Sequence, residues 1–515
     1  MSQQSKPDDP APTVCPYLDT INRPSLDFDF EPTCSQTLTT GPNIYACLIC
    51  GTFFRGRGKQ TPAYLHSVNE GHAVFLHLTT GKFYCLPDNY EIVDPSLNDI
   101  RDAFKPIYTK EDIINLDRET TLGRDLFGRR YLPGFVGLNN LNKTDCINAT
   151  LQALAHVKPL RDFFLKCGSG EPFEVVLNIS SSKSRKRKLN NSGGHAVAKV
   201  KTKMTKQTID PDSFSHLAKC FGEMIRKMWS NKRFKSTVDP HMLVQAISVA
   251  SNKRFTIGKQ MEAGEFMAWL LHQIHIGVGG SRKDGSSVIH STFQGRVEIT
   301  TRQRKSMKKD NPENGEEDDR LGSDDENTWE KMEEERKNQN EAISNTIEEV
   351  ASDSNFLQLT LDIPEKPLFK DDNGGLVIPQ EPLVNILKKF DGVSFSDVIS
   401  KNNSGDGTTL QRKRYHLRKL PNYLILCLSR FQKNSFNSEK NPTIVPFPVK
   451  NLDLTRYAFP NDKPQIPTEE EVRSMSVSTR VAFLYTIKKN VCAHESIYII
   501  SLQNTACFLL QRLKS

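Results

Sequence analysis

Two cysteines and two histidines near the start of the chain have the types and spacing of metal ligands. Cys47 and Cys50 are separated by two residues, and His66 and His72 follow at intervals of 15 and five residues. A Cys-x-x-Cys turn presents two thiolates to one ion, and two imidazoles complete a closed tetrahedral site of the kind that zinc prefers. The spacing therefore predicts a structural zinc site.

A second chemical feature is the helix start in Gly137-Leu-Asn-Asn-Leu-Asn-Lys-Thr-Asp-Cys-Ile-Asn-Ala-Thr-Leu-Gln-Ala-Leu154. Thr144 or Asp145 is a natural N-cap, and the apolar residues after it recur at helical spacing. A cysteine at a helix N-terminus would have a lowered thiol pKa and could act as a nucleophile. The chain has Asp145 there, and Cys146 lies roughly 100° further round the helix. We therefore expect Cys146 to be an ordinary half-buried thiol.

Composition limits the class of protein. The chain has 515 residues, a formal net charge of +8 and eleven cysteines. These cysteines come without a secretory signal, which indicates reduced thiols or metal sites and not a disulfide framework. No run of about 18 apolar residues occurs, so we expect neither export nor a membrane span.

The segment from Gly137 to Leu154 resembles the Cys box of ubiquitin-specific proteases, in which the nucleophilic cysteine stands at the position of Asp145. The resemblance implies that Asn140 occupies the position that helps to stabilise an oxyanion. Further segments similar to this family are Gln260–Phe266, Phe293–Gly295, Leu420–Phe431 and Asn441–Pro448. Together they imply an α+β chain whose second part has the papain-like fold of these proteases.

Three departures from that family imply that the chain is a pseudo-protease. The nucleophile position holds Asp145, and no cysteine occurs between Cys220 and Cys427, where active members carry the zinc ligands of their fingers. The last part of the chain offers only His494 as a candidate base, without the glycine and acidic residue expected around it. We expect no catalytic residue, with Cys146 as the alternative nucleophile, and a fold that is incomplete at its C-terminus.

The first part of the chain resembles the UBP-type zinc finger, which often binds the free C-terminus of ubiquitin. The resemblance rests on the four ligands together with Gly51 and the Gly56-Arg57-Gly58 run. It implies that Arg57 and Tyr45 are candidate contacts for a ubiquitin tail. Cys15 and Cys34 lack the partner cysteines of members with several zincs, so we expect one structural Zn²⁺.

These features divide the chain into segments. We expect a disordered tail at 1–13, the zinc finger at 14–94, a helical connector at 95–132 and the protease-like domain at 133–475, followed by a divergent segment at 476–515. Two inserts, 168–208 and 301–350, carry blocks of like charge and are expected to be flexible, the first as a solvated loop and the second as a disordered segment or a solvated helix. The first includes the basic run Lys183–Lys188, a candidate nuclear localisation signal.

A UBP finger joined to a protease-like domain with aspartate at the nucleophile position is similar to the inactive ubiquitin-specific-protease-like factors of the spliceosome. The resemblance implies a nuclear, non-enzymatic scaffold in pre-mRNA splicing that supports tri-snRNP assembly by binding snRNP proteins. The alternatives are an active cysteine deubiquitinase using Cys146 and a reader of the ubiquitin tail acting through Arg57. Neither membrane association nor direct RNA contact is expected, because the chain shows no RNA-binding signature.

Overall fold

A computed structural model describes most of the chain. The described residues are 15–86, 88–118, 121–180, 187–188, 202–304, 347–364, 378–401, 408–433, 438–447, 452, 454, 457 and 497–501. The expected tail, most of the basic run, the acidic part of the second insert and His494 lie outside them. Within the described residues, no helix is both long enough and apolar enough to cross a membrane.

The first domain is built on an antiparallel sheet in the order β2-β1-β3-β4-β5. One helix, α1, lies between the second and third strands and ends at Gly71, whose φ of 70° is the left-handed conformation that glycine adopts most easily. Every residue of β1 and β3 is buried, so these two strands form the centre of the domain. The elements are β1 (Ile44–Cys47), β2 (Phe53–Arg55), α1 (Pro62–Glu70), β3 (Val74–His77), β4 (Phe83–Cys85) and β5 (Tyr90–Ile92).

The connector, 95–132, was expected to be helical, and only part of it forms helices. Two short helices, α2 (Asn98–Phe104) and α3 (Lys110–Asn115), are followed by a β-hairpin made of β6 (Gly123–Arg124) and β7 (Arg130–Tyr131). The reason is local, because Asp125 and Gly128 supply the turn chemistry that closes a tight hairpin and ends the helical pattern.

A helical layer forms the core of the second domain. Helices α4, α6 and α8 pack together, and their buried faces share one apolar cluster with α5, α7 and α9. The short strands β8 (Gly137–Leu138) and β12 (Thr237–Val238) pair in parallel beside this layer. The helices are α4 (Asp145–Ala155), α5 (Lys158–Lys166), α6 (His216–Trp229), α7 (His241–Ala250), α8 (Ala263–Gly277) and α9 (Val288–Phe293).

Both inserts that were expected to be flexible have strands near their two ends, which their charge pattern did not indicate. β9 (Phe173–Ser180) pairs antiparallel with β11 (Thr202–Ile209), and β13 (Gly295–Arg304) pairs with β14 (Ile347–Phe356) along ten residues. β-Branched and apolar residues alternate with polar ones near these ends, and the alternation suits a half-buried strand. The basic run Lys183–Lys188 and the acidic part of the second insert lie further inside along the chain, mostly outside the described residues.

The rest of the second domain is β-rich. A five-stranded sheet has the order β10-β14-β13-β17-β16, and a second sheet places the buried strand β18 between β15 and β21. The remaining elements are β10 (Arg187–Lys188), β15 (Leu359–Asp362), α10 (Leu383–Ile386), β16 (Asp391–Lys401), β17 (Thr408–Lys419), β18 (Tyr423–Ser429), β19 (Phe431–Lys433), β20 (Ser438–Lys440) and β21 (Ile497–Ser501). Within the described part of the second domain, most helices precede most strands along the chain, as expected for the α+β class.

A buried carboxylate joins the two domains. The Oδ1 of Asp29 accepts a hydrogen bond from Lys227 Nζ at 3.0 Å, and its Oδ2 accepts one from the backbone N–H of Asp239 at 3.1 Å. The guanidinium of Arg233 lies 3.9 Å from the same carboxylate. Burial alone would raise the pKa of Asp29, but the two cations and the amide outweigh it and hold the pKa below its usual value.

An aromatic side chain reinforces this junction. Phe234, which follows α6 in the second domain, packs against the apolar core of the first domain beside Phe28 and Phe104. The backbone carbonyl of Phe28 also accepts a hydrogen bond from Lys227 Nζ at 2.7 Å. Apolar contact and buried charge therefore meet at one place, and the two domains share part of a core.

Replacing the junction carboxylate should destabilise the protein strongly. Asp29→Asn leaves Lys227 and Arg233 buried without their anion, and a loss of about 3 kcal/mol in unfolding free energy is expected. The stabilising effect of Asp29 is present at neutral pH and is lost as pH falls below about 4, through the lowered pKa of the carboxyl. Urea denaturation at pH 7 and pH 3.5 measures both effects, and the variant should lose this part of the pH dependence.

Glu91→Gln is the matched control, because it breaks the exposed ion pair between Lys82 and Glu91. A much smaller loss is expected for it, because exposed ion pairs contribute little to stability. Equal losses for the two variants would contradict the importance given to the buried junction.

Candidate functional site

The four predicted zinc ligands converge at one end of the first domain. Cys47 ends β1, Cys50 lies in the turn that follows, and His66 on α1 faces His72 just beyond the end of that helix. Their ligand atoms all lie within 4.8 Å of one another. Gly51 makes the turn possible, because its φ is 76° and an added Cβ would lie 2.1 Å from the carbonyl oxygen of Ser25.

The distances within this cluster fit a tetrahedral zinc ion. Cys47 Sγ lies 3.5 Å from His72 Nδ1, Cys50 Sγ lies 3.5 Å from His66 Nε2, and the two imidazole nitrogens are 3.0 Å apart. Zinc bonds of about 2.3 Å to sulfur and about 2.0 Å to nitrogen place tetrahedral S and N ligands about 3.5 Å apart. The donor set and its geometry therefore both suit zinc.

Cys47 and Cys50 could both be thiolates in this site only if a cation lay between them. A hydrogen bond from the Cys47 thiol lowers the pKa of Cys50 to about 3, and the same contact raises the pKa of Cys47. Only one of the two sulfurs can ionise easily while the proton is shared between them. A zinc ion would displace that proton and accept both thiolates.

Further ligand clusters are missing from the part of the chain that the structure describes. Cys34 is fully buried, and although burial raises its pKa, hydrogen bonds from Thr37 and from the backbone near Gln36 and Arg55 lower it overall. The turn resembles a Cys-x-x-Cys metal-binding turn, but Thr37 occupies the position of the second cysteine. Cys15 lies against Cys85, whose pKa rises mainly through burial, and no third ligand joins them.

The two candidate ubiquitin-tail residues lie together on the sheet of the first domain. The guanidinium of Arg57 lies 4.3 Å above the centre of the Tyr84 ring, within reach of a cation–π interaction. Tyr45 packs against His77 with 4.6 Å between ring centres, and only 7% of it is exposed. Burial raises the pKa of Tyr45. Arg57 is thus half-exposed, whereas Tyr45 offers little surface to a ligand.

The expected nucleophile position lies at the start of α4. Asp145 is the first residue of this helix and is exposed to solvent. Thr144 is its N-cap, yet the Thr144 side chain does not cap the helix. Its Oγ1 instead accepts the N–H of Leu141 at 2.9 Å and donates to Asn140 Oδ1 at 3.1 Å.

Asn140 is occupied by the same turn. Its Oδ1 accepts the backbone N–H of Thr144 at 3.0 Å as well as the Thr144 hydroxyl. The following residues Asn142 and Lys143 have φ angles of 71° and 56°, a left-handed conformation that few side chains adopt. The sequence suggested an oxyanion-stabilising position for Asn140, and in the structure its carbonyl oxygen closes the turn before α4.

Cys146 points into the core of the second domain. It is 2% exposed, and burial, with smaller contributions from the charges of Asp145 and Glu262, raises its pKa to about 12. The raised pKa keeps the thiol protonated at neutral pH, whereas the thiolate is the nucleophilic form. Cys146 is therefore more deeply buried than the half-buried thiol that the helical spacing suggested.

Comparisons with known proteins agree with this architecture. A family model described as ubiquitin carboxyl-terminal hydrolase matches residues 136–486, and one described as a Zn-finger in ubiquitin-hydrolases and other protein matches residues 33–97. The first match covers more than half of the chain. The protein belongs to the ubiquitin carboxyl-terminal hydrolase family.

Several relatives are similar along most of their length. Ubiquitin carboxyl-terminal hydrolase 39 of Mus musculus is 42% identical over 443 residues, which cover 86% of this chain and 67% of the relative. The probable mRNA-splicing protein ubp10 of Schizosaccharomyces pombe is 34% identical and is matched over 88% of this chain and 76% of its own. The pre-mRNA-splicing factor SAD1 of Saccharomyces cerevisiae is 29% identical over 84% and 75% respectively.

A solved structure supports the same fold. The crystal structure of an essential yeast splicing factor superposes with a TM-score of 0.56 at 26% sequence identity, and the match covers 84% of this chain and 82% of that one. The expected order of a UBP-type zinc finger followed by a ubiquitin-specific-protease fold is confirmed.

The burial of Cys146 predicts that it resists alkylation in the folded protein. Iodoacetamide at pH 8 should leave Cys146 unmodified until the protein is unfolded, because the thiol is both inaccessible and protonated. Peptide mass spectrometry of the native and urea-unfolded chain measures this difference.

Asp145→Cys supplies the matched control, since it places a thiol at the exposed start of the same helix. That thiol should react at least about tenfold faster than Cys146, because it is accessible and the helix dipole favours the thiolate. Rapid native alkylation of Cys146 would contradict the buried assignment.

Proposed function

We propose that this protein is a non-enzymatic scaffold in pre-mRNA splicing that supports tri-snRNP assembly through contacts with snRNP proteins. The observation that carries the absence of catalysis is the start of α4, where exposed Asp145 takes the nucleophile position and Cys146 is buried with a raised pKa. A carboxylate at the positive end of a helix is electrostatically favourable. It cannot, however, act as the thiolate nucleophile that forms an acyl-enzyme.

The link to splicing comes from the relatives. Two of them carry splicing in their names, and the superposed crystal structure is that of a splicing factor. The similarity extends over both domains and more than four-fifths of this chain in each case. A shared role in splicing, and with it a nuclear location, accounts both for this similarity and for the presence of Asp145 at the nucleophile position.

The rival function is that of an active cysteine deubiquitinase, which the name of the mouse relative would suggest. This function requires the Cys146 side chain to leave the core and to lose its proton to a nearby general base. The buried side chain and the turn hydrogen bonds of Asn140 and Thr144 both oppose that rearrangement.

A ubiquitin probe with a thiol-reactive group at its C-terminus separates the two functions. The purified protein should form no covalent adduct under conditions in which an active family member reacts completely. Gel shift and intact-mass spectrometry report the adduct. An adduct that disappears in Cys146→Ala would overturn the scaffold proposal, and co-purification of snRNP proteins from nuclear extract would support it.

We further propose that the first domain holds one structural zinc ion on Cys47, Cys50, His66 and His72. The ion would contribute folding energy by joining the turn after β1 to α1 and the residue that follows that helix. A contact of Arg57 and Tyr45 with the tail of ubiquitin stays a prediction. The partial exposure of Arg57 supports such a contact, whereas the burial of Tyr45 opposes it.

Metal analysis tests the zinc proposal. The purified chain should contain about one zinc per molecule, and Cys50→Ser should lose it and lower the Tm of the protein, because one of four ligands is removed. Cys34→Ser is the control, since Cys34 lacks a ligand set in the described residues, and it should keep its zinc. Two or more zincs per chain, or zinc loss in the control, would contradict a single site.

A further inference from the structure

The connector hairpin presents an unusual combination of exposed side chains. Phe127 at its tip is 67% exposed, Leu122 is 54% exposed and Leu126 is 39% exposed. Arg124 and Arg130 are exposed on its two strands. Aromatic and arginine side chains are the types enriched in the energetically important parts of protein interfaces.

The tip of this hairpin is held in a fixed conformation. The side chain of Asp125 is fully buried, and its Oδ1 accepts the backbone N–H groups of Phe127 at 3.0 Å and Arg129 at 2.8 Å. Its Oδ2 accepts the Arg129 Nε–H at 3.1 Å, and Gly128 closes the turn with a φ of 75°. The one carboxylate of the hairpin is therefore used internally, and the backbone that carries Phe127 is already ordered before a partner binds.

The base of the hairpin is anchored in the second domain. The ring of Tyr131 is buried, and its hydroxyl accepts the backbone N–H of Arg233 at 2.9 Å. The N–H of Leu126 donates to the carbonyl of Phe234 at 3.2 Å. Since Phe234 also packs on the first domain, the hairpin projects from the junction between the two domains.

Arg124 and Arg130 are placed against each other. They are direct cross-strand partners in the antiparallel pair, while Gly123 and Tyr131 pair on the opposite, buried face. Cross-strand partners have Cβ atoms about 5 Å apart, and like charges in this arrangement destabilise a strand pair. Among the described residues, neither guanidinium forms an ion pair with a carboxylate. An anionic ligand would relieve this repulsion.

We propose that the hairpin from Leu122 to Tyr131 is a docking surface for an acidic protein segment that also carries an apolar anchor residue. Carboxylates of the partner would lie between Arg124 and Arg130, and its apolar side chain would pack on Phe127 and Leu126. This inference rests on the proposed scaffold function, because the hairpin would be one of the surfaces through which the scaffold binds its partners.

The side chains favour a protein over RNA. Single-stranded RNA is bound by successive aromatic platforms along a cationic groove. The hairpin has one exposed aromatic ring, that of Phe127, with the guanidinium of Arg129 5.2 Å from its centre, and two exposed leucines that cannot stack on bases. It also contains no lysine. Charge and apolar surface together match an acidic peptide.

Fluorescence anisotropy with defined probes tests the proposal on the full chain. The first probe is a fluorescein-labelled peptide of four Glu-Leu-Asp repeats, the second has serine in place of each leucine, and the third is a labelled 12-nucleotide oligouridylate. The chain should bind the leucine peptide, and bind the serine peptide and the RNA more weakly. Arg124→Glu with Arg130→Glu should weaken leucine-peptide binding at least about tenfold, and Phe127→Ala at least about fivefold.

Arg282→Glu is the matched control, because Arg282 is an exposed arginine outside the hairpin. It should leave binding unchanged. The proposal is overturned by undetectable binding of the leucine peptide, by equal losses in the control, or by RNA binding that the hairpin variants abolish. None of these results would alter the outcome of the ubiquitin-probe experiment, so failure of the docking surface and failure of the scaffold function are distinguishable.

Thermal stability provides a second readout that does not need a ligand. Arg124→Glu alone should raise the Tm by about 1 to 3 °C, because it turns a repulsive cross-strand pair into an attractive one. A residue that serves the fold would show the opposite change. A fall in Tm for this variant would therefore also overturn the proposal.

Discussion

The position of one domain against the other depends on the environment of the Asp29 carboxylate. A carboxylate this deeply buried is tolerated only when cations and hydrogen-bond donors surround it, and Lys227, Arg233 and the amide of Asp239 supply them. All three partners come from the second domain. The first domain therefore cannot rotate or slide without leaving charges on both sides unpaired, and everything built at the junction inherits a fixed geometry.

Much of the fold could be predicted because its signals are local. The zinc ligands lie within 26 residues of sequence from Cys47 to His72, and their types alone specify the chemistry. The helix that begins at Asp145 and the buried strand β18 were likewise readable from the spacing of their apolar residues. In each case a short segment contains both the pattern and the physical reason for it.

The junction could not be predicted in this way. Asp27-Phe-Asp-Phe-Glu31 reads as an ordinary acidic segment, and its partners lie about 200 residues further along the chain. The hairpin in the connector was missed because its strands are two residues long and give no periodic signal. Within the candidate site, the sequence singled out Asn140 and Cys146 but could not show that Asn140 hydrogen-bonds within the turn or that Cys146 packs in the core.

The segment from Gly137 to Leu154 has a structural role that can be read from its hydrogen bonds. Asn148 donates to the carbonyl of Asn139 at 3.0 Å, and Gln152 donates to the carbonyl of Val136 at 2.7 Å. These side chains tie α4 to the strand that precedes it, and buried carbonyls left without donors would be costly. Asn148 and Gln152 therefore stabilise the start of α4 whatever the chemistry of this segment.

The packing of Phe234 has a consequence for how this chain can evolve. The two domains are separate segments of the sequence, but they are not separate in the structure. Phe234 of the second domain packs against the apolar core of the first. Exchange of either domain with that of a paralogue by recombination would leave an unfilled hole on one partner and an exposed aromatic ring on the other. The two domains are consequently expected to be inherited together and to change in step, as halves of one folding unit.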